Sequence, residues 1–564
     1  MNKVSRIAIP PAVQGLLPAF FCIFSGVIDR LYLDIDSFLV SMTCNGLYGS
    51  GAVCPVIHPL LAIVLGRLAP LAPSVDWFTL ISRVLVALTA WWVGMVIAWC
   101  IGSAPKRIFC LVSFSILLFR FPLFNANYTV HCAFFAMAGV TTLVLALRRA
   151  MPRGSLFWAA WFLCLAILWR PEGAALMLPF LLLDLMVLVL RHALPLAKIK
   201  KVLLPVLIPP LLLVAFSALL PLFSAQYAAG KAYSDARRAF VDYPSRPWAE
   251  VADQVTALGL DENDYETLSS SVLIDTSIAD TATLQKLSVI AKKGLLTEGL
   301  DTLGRDFVAA FSTLQLRVFC ILTVFFLVAV CLSGSPLLVK LECLLAALGS
   351  LLITLYYLYS GRLPERLFVS IFLMQFSVLL PLFLDAAAAP RAVRVRFWKA
   401  ACLLSACCLC LLLIKNRHNY HVTQLAIHAG TTVADDTALL PANDPDTVYL
   451  WDSMSMALYM TEHYMMEGKL PSTAFVRQNL AWGEWNTSGQ PFYQVLLADL
   501  DLENPMQCLL TRPHTYLVVK SEFAPHLQTW LQEHYTPTAT LQQTATVNVY
   551  TYGDTPIWLA VAQY

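Results

Sequence analysis

The sequence predicts an α-helical polytopic membrane protein with about eleven transmembrane helices and a C-terminal extracytoplasmic α/β domain. Three observations predict it. Of the 564 residues, 58% are hydrophobic and only 13% are charged, about half of the charged fraction that is typical of soluble domains. The apolar residues of the first 414 positions fall in windows of about 18 to 25, the length that a helix needs to cross a bilayer. After Ile414 the composition becomes that of a globular domain.

These observations divide the chain into a transmembrane domain, residues 1–414, and an outer α/β domain, residues 415–564. The first apolar window, about 12–33, follows Lys3 and Arg6 and is not followed by a small-residue cleavage site, which is typical of an uncleaved signal anchor. The other ten windows are expected at about 78–101, 108–125, 129–147, 155–170, 173–190, 202–223, 314–332, 342–359, 367–385 and 398–414.

The basic loops predict the orientation. With the N-terminus in the cytoplasm, alternate crossings place every basic cluster on the cytoplasmic side, as membrane proteins prefer. Residues 34–77, residues 225–306 and the chain after Ile414 are then outside. Residues 57–72 are too short and too interrupted to span, and we expect an interfacial helix there. The clusters are Lys106 and Arg107; Arg148, Arg149 and Arg153; Arg191, Lys198, Lys200 and Lys201; and Arg391, Arg394, Arg396 and Lys399.

The outer segments carry patterns of folded structure. The segment 225–306 is polar and has helical patterns near 247–258 and 281–296, which indicate a small ordered insertion. In the C-terminal domain, helical patterns near 453–466 and 523–534 lie between strand-like runs. Those runs are Thr447 to Trp451, Thr515 to Lys520 and Ala545 to Tyr552.

Polar side chains gather at the outer ends of the predicted spans. Such residues are costly near lipid, so their placement is informative. One interpretation is that each base extends to the headgroups and pairs with an acid. The other is a chamber that binds a phosphorylated, hydroxyl-rich substrate. The candidates are Asp34, Asp36 and His58 in the first outer loop, Arg170 and Glu172 in a later turn, and Arg362, Glu365 and Arg366 in the last.

The first outer loop has a recognisable order of motifs. It reads Leu-Tyr-Leu-Asp34-Ile-Asp36-Ser-Phe, continues with Asn45-Gly46-Leu47-Tyr48-Gly49, and resumes at His58-Pro59-Leu60-Leu61. This order resembles the type C glycosyltransferases, which include protein O-mannosyltransferases and bacterial lipid A aminoarabinose transferases. In those enzymes one or two acids follow the first span, a helix ends in a glycine-containing turn, and a Pro-Leu stretch opens an interfacial helix. The resemblance covers about the first 100 residues and, more loosely, the overall layout.

The resemblance implies transfer of a sugar from a polyprenyl-phosphate donor to a glycan, lipid or protein acceptor on the outer face of the membrane. It implies the bacterial plasma membrane as the location and the cell envelope as the product's destination. An acid of the first outer loop acts in such enzymes as base or metal ligand, and Asp34 and Asp36 take its place here. Ile35 separates them, so the choice between the two stays open, as does a divalent metal ion as cofactor. We expect no nucleic-acid partner, because the net charge is only +2.

A phosphate leaving group needs cationic side chains, and Arg170, Arg362 and Arg366 are the candidates. If Pro364 begins a helix, Arg366 lies in its first turn and Arg362 just before it, and we expect one of the two to hold the phosphate. His58, Glu172 and Glu365 are the further substrate-binding candidates. Two alternatives remain open: a polysaccharide polymerase or ligase, and a transporter or flippase of lipid-linked glycans.

Overall fold

The computed structural model is mostly helical, and every structural statement below concerns the residues that it describes. These are residues 9–28, 35–48, 54–120, 123–125, 127–191, 196–273, 275, 277–292, 305, 308, 314–332, 335–388, 403, 407, 446–460, 464, 470–483, 489–502, 504–547 and 557–563.

Six described helices are long and apolar enough to cross a membrane, which is consistent with an integral membrane protein. Each coincides with a predicted window. Four more predicted windows contain shorter helices, and the window at 398–414 lies outside the described residues. The count of eleven crossings therefore stays a prediction. The six are Trp77–Cys100, Tyr128–Arg148, Pro171–Leu190, Lys200–Phe223, Leu337–Tyr359 and Glu365–Asp385.

Side-chain caps fix several helix starts. Asp76 accepts from the backbone N–H of Thr79, and Asn127 accepts from those of Thr129 and Val130, which satisfies donors that a helix leaves unpaired. The helices of this region are α1 Pro11–Gln14, α2 Leu16–Ile28, α3 Ile35–Cys44, α4 Pro59–Leu68 with a 3-10 turn at Ala69–Leu71, α5 Trp77–Cys100, α6 Ala104–Arg120, α7 Tyr128–Arg148, α8 Ser155–Trp169, α9 Pro171–Ala174 with a 3-10 turn at Ala175–Met177, α10 Leu178–Leu190, α11 Leu196–Phe223, α12 Ala225–Val241, α13 Trp248–Thr256, α14 Glu262–Ser269, α15 Thr281–Ile290, α16 Leu314–Leu332, α17 Leu337–Tyr359 and α18 Glu365–Ala388.

Helices α7 and α18 form the centre of the bundle. Both are 94% buried over their apolar windows, whereas α11 is only 11% buried and faces outward. Helix α7 packs against α5, α8 and α18, while α10 packs against both α17 and α18. Polar residues at the ends of α7 and α18 are therefore enclosed by protein.

The segment after α11 folds as a group of four helices, α12 to α15. The helices predicted near 247–258 and 281–296 are confirmed as α13 and α15. Helix α12 was not predicted. It buries Tyr227, Tyr233 and Phe240 on one face, which leaves its charged face for other contacts.

The C-terminal region contains a five-stranded mixed sheet of order β2-β1-β3-β5-β4. Strands β2, β1 and β3 are parallel, and β5 is antiparallel to β3 and β4. Two predicted strands are confirmed as β1 and β3 and the third run overlaps β4, while β2 and β5 were not predicted. The elements are β1 Val448–Asp452, α19 Ser453–Met460, α20 Thr473–Gln478, β2 Asn479–Trp482, α21 Pro491–Asp499, α22 Pro505–Thr511, β3 Thr515–Lys520, α23 Ala524–His534, β4 Thr540–Val547 and β5 Ile557–Gln563.

The sheet domain packs against the α12–α15 group. The buried carboxylate of Asp275 accepts hydrogen bonds from Asn504, Trp530 and Tyr535 of the sheet domain. The Gln490 amide donates to the backbone oxygen of Gly230 in α12. A buried carboxylate with several donors is well satisfied, so these bonds hold the two regions together.

Candidate functional site

A cavity of about 850 Å³ opens at the ends of α7, α17 and α18 that lie next to the α12–α15 group. Leu176, Leu352, Ile353 and Leu367 form an apolar wall on one side. A smaller cavity of about 100 Å³ continues from the polar side towards Asp36. The two cavities share six lining residues: Arg170, Glu172, Asp235, Arg238, Arg362 and Arg366.

The polar side of this cavity carries an excess of positive charge. Among the residues that the structure describes, six bases and four acids line the two connected volumes. Partial burial lowers the local dielectric and strengthens the resulting field. The bases are Arg170, Lys231, Arg237, Arg238, Arg362 and Arg366, and the acids are Asp36, Glu172, Asp235 and Asp242.

Ion pairs hold most of the cavity bases in place. Arg366 pairs with Asp36. The Arg362 Nη2 atom lies 2.7 Å from Asp242 Oδ2, and Arg237 Nη1 lies 3.2 Å from Asp242 Oδ1. Arg238 and Lys231 pair with Asp235 at 2.9 and 3.2 Å, and Lys231 Nζ also lies 4.0 Å from Glu172 Oε1.

Arg170 differs from the other cavity bases. Its guanidinium donates to Thr129 Oγ1 and lies over the Tyr128 ring at 5.3 Å, and within the described part of the chain it makes no ion pair. It is held at the junction between α8 and α9, where its backbone N–H continues the hydrogen bonding of α8. A fixed arginine without a carboxylate partner is free to accept an anionic ligand.

Asp36 and Arg366 meet although they are 330 residues apart in sequence. Asp36 lies in the first turn of α3, and Arg366 lies in the first turn of α18. The helix starts after Pro364, as predicted. Arg362 precedes it in a turn at Gly361, whose φ of +74° favours glycine. Both arginines line the cavity, whereas the sequence led us to expect a role for one.

Two other predicted site residues line neither cavity, and a third is not described. Asp34 is outside the described residues. Glu365 is exposed at the start of α18 and does not line the cavity. His58 is fully buried and caps α4: Nδ1 accepts from the Leu60 N–H and Nε2 lies 2.9 Å from the Leu213 oxygen. His58 thereby fixes α4 against α11, away from the cavity.

Sequence reasoning missed the cavity residues of α12 and the turn that follows it. Lys231, Asp235, Arg238 and Asp242 are spaced by four, three and four residues. That spacing places them on one face of a helix, opposite the buried aromatic face. The signal was therefore present as a charged stripe, although nothing in the segment indicates that the stripe faces the ends of α7 and α18.

One described group has the donors for a metal ion: ligand atoms of Asp264, Glu533 and His534 lie within 4.8 Å of one another. It lies between α14 and α23, at the boundary of the sheet domain, and not at the cavity. Nε2 of His534 lies 2.5 Å from Asp264 Oδ1. This hydrogen bond raises the pKa of His534, because a nearby carboxylate favours the charged form of the ring.

Comparison with known proteins gives no match, whether with family models, curated sequences or solved structures. The resemblance to the type C glycosyltransferases therefore stays an expectation from the sequence. Helix α3 ends at Cys44 before a turn at Gly46 with φ of +75°, and α4 opens at Pro59.

Proposed function

We propose that this chain is an integral membrane glycosyltransferase that moves a sugar from a polyprenyl-phosphate donor to an acceptor on the outer face of the membrane. One observation carries the proposal: the cavity has more described bases than acids in its lining and also has an apolar wall. A lipid-linked phosphate has the matching properties, an anionic head on an apolar chain. The acceptor is a glycan, a lipid or a protein.

The apolar wall supports entry from the bilayer. Leu352 and Tyr356 line the cavity and are 65% and 59% exposed on the outside of α17. The wall therefore continues onto a surface that faces lipid when the helix spans. A polyprenyl chain can lie against Leu352 while its phosphate reaches Arg170, with Arg362 and Arg366 beside it.

The acids supply the chemistry. In the proposed step the acceptor hydroxyl oxygen attacks the anomeric carbon, the bond from that carbon to the carrier phosphate breaks, and the hydroxyl proton passes to a carboxylate. The phosphate leaves with its charge met by Arg170. Asp36, which lines the smaller cavity, is the proposed base, and Asp34 remains the alternative from the sequence.

The proposal includes eleven spans, a cytoplasmic N-terminus and an outer C-terminal domain in the bacterial plasma membrane. The lengths of α7 and α18 support a position of the cavity at one face of the membrane. From Thr129 to Arg148 in α7, and from Arg366 to Asp385 in α18, the chain advances by the same 19 residues. At 1.5 Å per residue this is about 28 Å, close to the thickness of the hydrocarbon core.

The test is to reconstitute the full chain in liposomes and supply a panel of radiolabelled polyprenyl-phosphate sugars. We expect transfer or slow donor hydrolysis with at least one donor, and loss of it in Asp36→Asn. Asp253→Asn removes an exposed carboxylate of α13 and is the matched control. A chelator in parallel reactions tests the metal requirement. The absence of both turnover and binding, with every lipid phosphate tested, would refute the proposal.

A further inference from the structure

The opposite end of the bundle holds a second charged cluster, about 28 Å from the cavity along α7 and α18. Arg148 of α7 stands at its centre. Its Nη2 atom lies 2.6 Å from Glu342 Oε1 of α17 and 3.2 Å from Asp184 Oδ1 of α10, and its Nη1 atom lies 3.4 Å from Asp385 Oδ2 of α18. Four helices therefore meet at one guanidinium.

The charges of this cluster do not balance. Asp385 also pairs with Arg149 and is 36% exposed, so it has its own partner and contact with solvent. Arg148 is then left to neutralise Asp184 and Glu342, both of which are 0% exposed. Two fully buried carboxylates beside one guanidinium leave an uncompensated charge, which is strongly unfavourable in a low-dielectric interior.

The hydrogen bonding is incomplete at the same place. Asp184 Oδ2 and Glu342 Oε2 are both buried without a hydrogen-bond partner. The carboxyl groups of these two residues lie within hydrogen-bonding reach of each other. Two ionised carboxylates cannot bond because neither has a donor, whereas one protonated group donates to the other.

We propose that Asp184 and Glu342 form a proton-binding site in which one proton is shared between the two carboxyl groups beside Arg148. The proton removes the excess negative charge and supplies the missing donor. The cluster of Arg148, Arg149, Asp184, Glu342 and Asp385 is then neutral. Arg191 at the end of α10 also acts on Glu342, but it is exposed and screened by solvent.

The site links proton binding to the packing of the helices that form the cavity. Helix α10 packs against α17 and α18, and the shared proton joins α10 to α17 directly. Loss of the proton at high pH makes the two carboxylates repel and loosens this contact. The inference concerns the inner end of the bundle and does not depend on the transferase proposal.

Infrared spectroscopy tests the site directly, because a protonated carboxyl group absorbs separately from a carboxylate. We compare the full chain with Asp184→Asn and with Glu342→Gln in lipid at neutral pH. The native spectrum should contain a protonated-carboxyl band that disappears in both variants, since they share the proton. Asp385→Asn removes the exposed member and should leave the band in place.

Thermal unfolding supplies a second readout if a spectrum is too crowded. The native midpoint should fall between neutral and alkaline pH, and Glu342→Gln, which has one carboxylate fewer, should lose this part of the pH dependence. Two results would overturn the proposal, because either would show that both carboxylates are ionised. The first is an infrared band that is unchanged in both variants. The second is a pH dependence of unfolding that is identical in the native protein and in Glu342→Gln.

Discussion

The cavity and the buried cluster around Arg148, here called the inner cluster, are built from the same helices: α7, α17 and α18 together with the α9–α10 segment. They differ in their access to solvent and in their charge. At the cavity, Arg366 and Asp36 retain 32% and 12% of their side-chain exposure. At the inner cluster, Arg148 and Asp184 retain 6% and 0%. The described lining of the cavity has more bases than acids and encloses open volume, whereas the cluster has more acids than bases and is buried.

The difference in exposure predicts a different role for the ion pairs of each region. The pair of Arg366 with Asp36 keeps part of its exposure to solvent and should contribute less to stability than a fully buried pair, so its atoms are available to a ligand at lower cost. A buried pair is different, because removing one partner strands a charge and costs about 3 to 5 kcal/mol. We therefore expect cavity substitutions to change activity and inner substitutions to change stability.

The largest expected effect is at Asp36. Asp36→Asn keeps the shape of the side chain but removes proton acceptance, and should lower turnover by about 10²- to 10⁴-fold. The unfolding midpoint should change little, because the pair with Arg366 is partly exposed. Initial transfer rates and thermal unfolding measure the two quantities. Native turnover in both Asp36→Asn and Asp34→Asn would exclude this loop from catalysis.

The inner cluster should show the opposite pattern. Arg148→Met removes the one guanidinium beside Asp184 and Glu342, and should lower the free energy of unfolding by about 3 to 5 kcal/mol. Chemical denaturation in detergent measures it. The control is Arg153→Met, an exposed arginine five residues later, which should change stability by less than about 0.5 kcal/mol. Equal effects of the two substitutions would contradict the difference between the regions.

A smaller effect is expected on ligand binding at Arg170 of the cavity. A hydrogen bond to a charged group contributes about 1.5 to 3 kcal/mol, so Arg170→Met should weaken binding of polyprenyl phosphate by about 10- to 100-fold without changing the fold. Arg67→Met removes an exposed arginine of α4 and serves as control. Binding measured in nanodiscs at several salt concentrations should also lose part of its salt dependence. Unchanged affinity would place the phosphate elsewhere.

Much of this architecture follows from local patterns, because hydropathy and helix periodicity depend on neighbours in the chain. The windows of α7 and α18, the short helix α4 and strands β1 and β3 were predicted in that way. Strand β5, at residues 557–563, was not predicted. It is held by pairing with β3 and β4, which come earlier in the chain, and a local pattern does not report such pairing.

The site was predictable only in part, for a different reason. Asp36, Arg170, Arg362 and Arg366 could be found because polar residues near lipid are rare. Their pairing could not, because Asp36 meets Arg366 across 330 residues and no local pattern reports which helices become neighbours. His58 illustrates a second limit: the sequence does not distinguish a buried helix cap, which the structure shows, from a ligand-binding histidine.

The smallest expected effect concerns an ion pair of intermediate burial, His534 with Asp264, where the side chains are 24% and 2% exposed. The hydrogen bond to Asp264 raises the pKa of His534 above its usual 6.5. Asp275, Asp261 and Glu533 also lie near the ring. Because the folded pKa is the higher one, the stabilisation is complete below about pH 6.5 and is lost as the pH rises through the folded pKa.

The contact between the α12–α15 group and the sheet domain should therefore weaken as the pH rises above about 6.5. Hydrogen exchange of α14 and α23 measures this contact, and His534→Gln should remove the pH-dependent part. His526→Gln changes an exposed histidine of the same helix and should retain it. If His534→Gln kept the native pH profile, the ring would be neutral in the folded protein. The pair of His534 with Asp264 would then contribute as little to stability as the partly exposed pairs of the cavity. Burial of one partner alone would not be enough to make an ion pair stabilising.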